Sequence, residues 1–263
     1  MTSPKPLKDR LALVTGASRG IGRAIAKALS AAGAHVIITA RSEGGLEDLD
    51  DEIRSLGGTA TILTLDLRKS DRVDQLGPTL YQRWGKLDIV IANAGILGPL
   101  SPLPHVTADS WNAVIETNLT ANWRLLRTLD PLLKLSDAGR AVFLSSGAAS
   151  GHNAYWGPYA VSKAGLEALA KTYAQESQGT KVRVNIVHPG PVRTEMRAKA
   201  FPGEDPMTLP TAEEVAAFVV PFTLPEFTVN GEVFSFREAR ERARAQTEEV
   251  TQTSQTNDER RSE

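Results

Sequence analysis

A chain of 263 residues, 41% hydrophobic and 23% charged, has enough apolar material for one large core and none of the bias of a fibrous or low-complexity sequence. Its net charge of -1 supplies no field that would draw it to nucleic acid or to an anionic membrane. The lack of cysteine removes disulfides, thiolate metal sites and cysteine nucleophiles, and His35, His105, His152 and His188 are too scattered to suggest a metal centre.

Met1 to Pro6 carries no apolar run, so neither a signal peptide nor a membrane anchor is expected, and the expected location is cytoplasmic. Leu11-Ala12-Leu13-Val14 reads as a strand that bends through Thr15 to Gly22 into a helix. The helix is marked by Ile21, Ala24, Ile25, Ala28, Leu29 and Ala32, whose spacing forms one apolar stripe. Gly16, Gly20 and Gly22 let the backbone approach a ligand closely. The unpaired amides and positive dipole end of the helix start favour a phosphate there. The spacing is neither G-x-G-x-x-G nor a P-loop, which sets aside the phosphate-binding NTPases.

Gly33 closes this helix, and His35 to Thr39 is a second strand. Strand, helix, strand in so short a length predicts a right-handed crossover and a parallel sheet. A helix over Glu43 to Leu56 ends at Gly57-Gly58, and the strand Thr61 to Leu65 has Asp66 at its carboxyl end. Ser70 to Trp84 reads as one helix, and the strand Leu87 to Ile91 runs into Asn93-Ala94-Gly95.

Thr107 is the expected N-cap of a long helix reaching Leu135. Arg140 to Leu144 is the fifth strand, ending in Ser145-Ser146. A helix from about Tyr155 to Glu176 precedes the sixth strand, Val182 to Val187, and the turn Pro189-Gly190-Pro191. Thr211 to Glu214 has the pattern of a capping box, and Gly231 to Ser235 reads as a seventh, edge strand. From Arg237 the residues are mostly charged or small and polar, and Thr251 to Glu263 contains no apolar residue, so that end is expected to be disordered. The expected fold is α/β, a single doubly wound Rossmann-type domain over residues 1–250 with a mostly parallel sheet of about seven strands.

Ligands of such sheets bind outside the carboxyl ends of the strands. Those ends carry Thr15 to Gly22, Ala40-Arg41, Asp66, Asn93 to Gly95, Ser145-Ser146 and Pro189 to Thr194. Tyr159 and Lys163, four apart on a helix, share one face. A phenol ionises near ~10, and a neighbouring ammonium is expected to lower that value and fit the phenol for proton transfer. At the end of the second strand there is no acid to bind a ribose hydroxyl. Arg41 stands there instead, suited to a 2'-phosphate, with Arg19 as a second charge, so the expected cofactor is NADP(H).

From about Leu7 to Thr194 the chain resembles the short-chain dehydrogenase/reductase family. The resemblance rests on the T-G-x-x-x-G-x-G loop at Thr15 to Gly22, Asn93-Ala94-Gly95, Ser146, Tyr159-x-x-x-Lys163 and Pro189 to Thr194. It implies a catalytic tetrad of Asn118, Ser146, Tyr159 and Lys163, with Ser146 preferred to Ser145 because it lies thirteen residues before Tyr159. Together with the argument from Arg41, it assigns cofactor contacts to Gly16, Ser18, Arg19, Gly20, Ile21, Gly22, Arg41, Asp66, Leu67, Asn93, Ala94, Gly95, Pro189, Val192 and Thr194, and no metal.

The expected activity is hydride transfer between NADP and a small-molecule carbonyl or secondary alcohol, with Tyr159 as proton donor and acceptor. Alternatives are a 3-oxoacyl-carrier-protein reductase, a non-catalytic dinucleotide sensor and a nucleotide-sugar epimerase. The short region after Thr194 argues against the epimerase. Tyr155, Trp156 and His152 flank the active-site helix and either shape the pocket or pack beneath a loop. Apolar residues spread around the helices of Trp111 to Leu129 and Ala160 to Tyr173 predict a homodimer or homotetramer.

Overall fold

The computed structural model describes residues 5–151 and 153–246. Seven parallel strands form one sheet in the order β3-β2-β1-β4-β5-β6-β7. They are β1 (Leu11–Thr15), β2 (His35–Ala40), β3 (Thr59–Thr64), β4 (Ile89–Ala92), β5 (Arg140–Leu144), β6 (Arg183–His188) and β7 (Val233–Ser235). Strand order reverses between β1 and β4, which opens a crevice at their carboxyl ends.

Alternation along buried strands divides the core in two. On β1, Ala12 and Val14 face a layer with α1 (Gly20–Ala31), α2 (Glu43–Ser55) and α10 (Ala212–Val219). Leu11 and Leu13 face the layer with α4 (Leu76–Trp84), α6 (Ala121–Leu135) and α8 (Gly157–Glu176). The stripe expected on α1 is the side that packs: Ala24, Ile25 and Leu29 are buried, and Ile21, Ala28 and Ala32 border them. Thr107 caps α5 (Ala108–Ile115), and Thr211 closes a full capping box with Glu214.

Several elements differ from expectation, among them two short helices not foreseen, α7 (Ala148–Gly151) and α9 (Glu195–Ala200). Ser70 to Trp84 is two helices, α3 (Ser70–Asp74) and α4, because Thr128 of α6 reaches into the junction. Its hydroxyl donates to the Asp74 carbonyl at 3.0 Å and accepts from Gly77 N–H at 3.0 Å. The helix expected over Thr107 to Leu135 contains a π-helical turn at Glu116–Thr120 between α5 and α6. The polar stretch after Phe236 is helical over residues 236–246, here α11. Thr251 to Glu263, expected to be disordered, and His152 lie outside the described residues. Among the described residues no helix is long and apolar enough to cross a membrane.

Candidate active site

The glycine turn is built for close approach. Gly16 and Gly20 have φ of 65° and 57°, a region that suits glycine. A Cβ on Gly16 would stand 2.9 Å from Ala94 Cα, and one on Gly22 would stand 2.5 Å from the Gly16 carbonyl oxygen. Asn93 braces the turn from β4: its Nδ2 donates to the Thr15 carbonyl at 2.8 Å and to that of Gly16 at 3.3 Å. The Thr15 hydroxyl accepts from the backbone N–H of Asn93 and of Ala94, each at 3.0 Å. The backbone carbonyl of Ser18 accepts from Arg23, which also pairs with Glu52.

A cleft of about 670 Å³ opens beside this turn. Ile21, Asn93, Gly95, Pro189, Val192 and Thr194 line one wall, and Ser146, Tyr159 and Lys163 line another. The Thr194 methyl would touch a Cβ on Gly20 at 3.5 Å, so the loop after β6 lies against the glycine turn. Its hydroxyl caps α9 (Glu195–Ala200) by accepting from Arg197 N–H.

Tyr159 is buried at the start of α8 and lines the cleft with Ser146. Burial pushes the phenol up, and Ser146 pulls it partly back. The lowering expected from Lys163 is not found: burial sets the direction, and Ser146 is the group that opposes it. The Lys163 ammonium sits 5.8 Å from the Tyr159 ring centre and donates to the Leu144 carbonyl at 2.6 Å. Desolvation brings its pKa down to about 8, with the Glu167 charge holding it up.

Asn118 projects from the π-helical turn and is fully buried. It accepts from Ile96 N–H at 2.8 Å, and its Nδ2 donates to the Ile96 carbonyl at 2.9 Å and to the Ser162 hydroxyl at 3.0 Å. The Asn118 carboxamide oxygen and Lys163 Nζ would stand 3.4 and 3.7 Å from a Cβ on Gly95, so all three meet at the cleft floor.

Ser145 and Ser146 part company. The Ser146 side chain turns to Tyr159, whereas the Ser145 hydroxyl donates to Glu167 at 2.8 Å. Glu167 also pairs with His188 Nε2 at 2.6 Å, and these contacts hold its carboxyl below the usual range against the opposing cost of burial. Sequence reasoning missed Glu167 and His188 as members of the site; the four-residue step from Lys163 to Glu167 was the available signal.

At the other end, Arg41 and Asp66 line a cleft of about 640 Å³ with Arg68, Lys69 and Arg72. These three cations were not foreseen, although they follow Asp66 directly. Asp66 accepts from Arg68 Nη2 at 2.7 Å and from its backbone N–H at 3.0 Å, and the guanidinium holds the carboxyl below its usual range. The Leu67 side chain is buried in the core, leaving only its backbone for ligand contact. Arg19, expected beside Arg41, instead pairs with Glu195 in the first turn of α9. Its backbone is extended just before α1, and its side chain is exposed.

Tyr155 and Trp156 do not form a pair. Tyr155 has a φ of 73° and is exposed, and this turn leaves Trp156 edge-on to Tyr159 at 5.8 Å and beside Phe201 at 5.9 Å.

A parallel sheet that reverses between β1 and β4, a glycine turn at that crevice and a Ser-Tyr-Lys cluster facing it define a nucleotide-dependent oxidoreductase of the Rossmann class. The short chain dehydrogenase family profile matches residues 10–205, and the chain belongs to that family. It is 40% identical to the uncharacterized oxidoreductase YciK of Escherichia coli, over 80% of this chain and 84% of that one. It is 37% identical to the 3-oxoacyl-[acyl-carrier-protein] reductase FabG of Salmonella typhimurium, over 72% and 76%. A short chain dehydrogenase of Shigella flexneri, solved in complex with NADP, superposes with a TM-score of 0.85 at 36% identity, covering 89% of this chain and 99% of that one.

Proposed function

We propose that this oxidoreductase transfers a hydride between NADP(H) and a carbonyl or secondary alcohol, with Tyr159 carrying the proton. The observation that supports this most is that Ser146, Tyr159 and Lys163 line one cleft together, with the Lys163 ammonium 5.8 Å from the Tyr159 ring centre. The glycine turn fits the pyrophosphate of a dinucleotide, since a Cβ at Gly16 or Gly22 would fill the approach. Arg41, Arg68, Lys69 and Arg72 supply positive charge for a 2'-phosphate, in keeping with the NADP in the Shigella relative. When bound, the nicotinamide would supply or accept the hydride at the carbonyl carbon.

The chain's residues manage the oxygen. In reduction Tyr159 gives its proton to the carbonyl oxygen, and Ser146 hydrogen-bonds the developing alkoxide. The buried phenol holds its proton at neutral pH, and the Lys163 ammonium then stabilises the phenolate left behind. Asn118 anchors the Ile96 segment behind the cleft and fixes the floor against which Lys163 is held.

In spectrophotometric assays with a panel of carbonyls, kcat/KM should be higher with NADPH than with NADH. Tyr159→Phe should lower kcat by more than about 100-fold while NADPH affinity stays within about twofold, because only the transferable proton is lost. Comparable efficiency with NADH would reject the cofactor assignment, and retention of about a tenth of kcat, only ~1.4 kcal/mol of barrier, would reject Tyr159 as the donor.

A 3-oxoacyl thioester reductase is the second reading, favoured by the likeness to FabG. A dinucleotide sensor would bind NADPH and turn over nothing. We further propose self-association through the exposed side of α8, where Val161, Ala164 and Ala168 line up.

A further inference from the structure

Beyond the dinucleotide wall, the cleft continues along a row of rings that no hydride transfer requires. Trp156 meets the Tyr159 ring at 68° and the Phe201 ring at 34°, so the row starts at the proposed proton donor and runs outward. Phe201 is 39% exposed and Met196 is 37% exposed, both on the cleft wall. An apolar ring left half in water needs something to hold it. Arg197 does so: its guanidinium carbon lies 3.7 Å from the Phe201 ring centre, and Glu204 grips the guanidinium with two 2.6 Å bonds. The ring is thus stacked from one side by a cation that is itself fixed.

The charge around this row points the same way. Apart from Lys163, the cleft-lining cations are Arg197 and Arg237, and each is already held by a carboxylate, Glu204 and Glu241 respectively. Glu238 and Glu241 of α11 also line the cleft, so its outer end has no uncompensated positive charge among the described residues. A charged substrate head group entering this end would find no free cation there to pair with.

We propose that the substrate is an uncharged, planar aryl carbonyl, or the corresponding carbinol, whose ring packs against Trp156 and Phe201 while its oxygen reaches Tyr159 and Ser146. This rests on the hydride-transfer reading and adds the substrate class. Aromatic faces at ring-stacking distance select a flat π system over an alkyl chain, and the paired charges around them select neutrality.

The test compares purified enzyme with NADPH on 1-phenylpropane-1,2-dione, butane-2,3-dione, the acetoacetyl thioester of N-acetylcysteamine and acetoacetyl-coenzyme A. The expected result is a kcat/KM for the phenyl dione at least about tenfold above each of the others, the size of one or two good ring contacts. Trp156→Ala and Phe201→Ala should each raise KM for the phenyl dione about three- to tenfold. The same changes should alter KM for butane-2,3-dione clearly less, with kcat less affected than KM in both cases. Trp156→Phe should restore most of the loss, and wild-type melting temperatures for the alanine variants would separate lost stacking from a folding defect. Without turnover, acetophenone should quench the tryptophan emission of the wild-type protein and quench Trp156→Phe less.

Preference for acetoacetyl-coenzyme A, or equal effects of the alanine variants on aryl and alkyl diones, would overturn the substrate class and leave hydride transfer standing. NADPH binding with no turnover of any of the four compounds, nor of 1-phenylethanol with NADP, would overturn both.

Discussion

Lys163 is the side chain on which burial and function pull against each other. It is buried under the cleft floor, and desolvation lowers its pKa to about 8, so near neutrality it is an ammonium with little margin. Glu167, one turn along α8, keeps that charge in place, and is in turn kept ionised by His188 and Ser145. If the ammonium helps hold the dinucleotide, NADPH affinity should be full below pH 8 and fall as pH rises through about 8, because deprotonation removes the cation. Glu167→Gln removes the charge that raises the lysine, so the same fall should move to lower pH. Fluorescence titration of NADPH from pH 6.5 to 9.5, a range chosen to bracket that value, reads both curves. A variant curve that overlays the wild type would show that Glu167 does not govern the charge of Lys163.

At the scale of elements, the turn between β1 and α1 depends on two contacts that leave no room for a side chain. A Cβ on Gly22 would collide with Asn93 Nδ2 and press on the Gly16 carbonyl, the two groups that set the shape of the turn. Gly22→Ala should therefore cost on the order of 1–3 kcal/mol of stability and weaken NADPH binding more than tenfold, since the turn cannot shift without moving Asn93. Urea unfolding alongside NADPH titration checks this. Wild-type values for both would mean that the turn is looser than its packing implies.

This turn was legible in the sequence because glycine spacing is a local signal, and the strands were legible because their apolar runs are short and bounded. The break between α3 and α4 was not legible, since Thr128 makes it from more than fifty residues away. The π-helical turn that presents Asn118 was hidden as well: it spans only Glu116–Thr120 and carries no glycine or proline to mark it. Trp156 and Phe201 lie on separate elements, and only the fold of the loop after β6 brings them together.

Across the whole molecule, most of the apolar excess on α6 and α8 is spent within the chain. Leu166, Ala170 and Tyr173 of α8, and Leu125, Leu126 and Leu129 of α6, are buried in the core layer shared with β5 and β6. What remains exposed is narrower than the sequence alone suggested: Val161, Ala164 and Ala168 along α8, and Trp123 and the terminal Leu135 of α6. Val161 is 47% exposed and Trp123 45% exposed, and the guanidiniums of Arg124 and Arg127 flank the indole at 5.6 and 5.5 Å. Steps of three and four residues place Val161, Ala164 and Ala168 on one line, and their small side chains allow another helix to approach closely. A two-fold axis across that line would lay α8 against the α8 of a second copy, with each Trp123 near the edge of the contact. Ala168→Glu would then bring two carboxylates and their added bulk together at the axis, with Lys171 one turn along α8 offsetting only part of the repulsion. Sedimentation velocity at micromolar concentration should show the wild-type protein as a dimer or larger and Ala168→Glu as a monomer with its melting temperature within a few degrees, because Ala168 makes no contribution to the core of its own chain. A wild-type protein that sediments only as a monomer, or a variant that remains associated, would mean that this stripe is simply solvated.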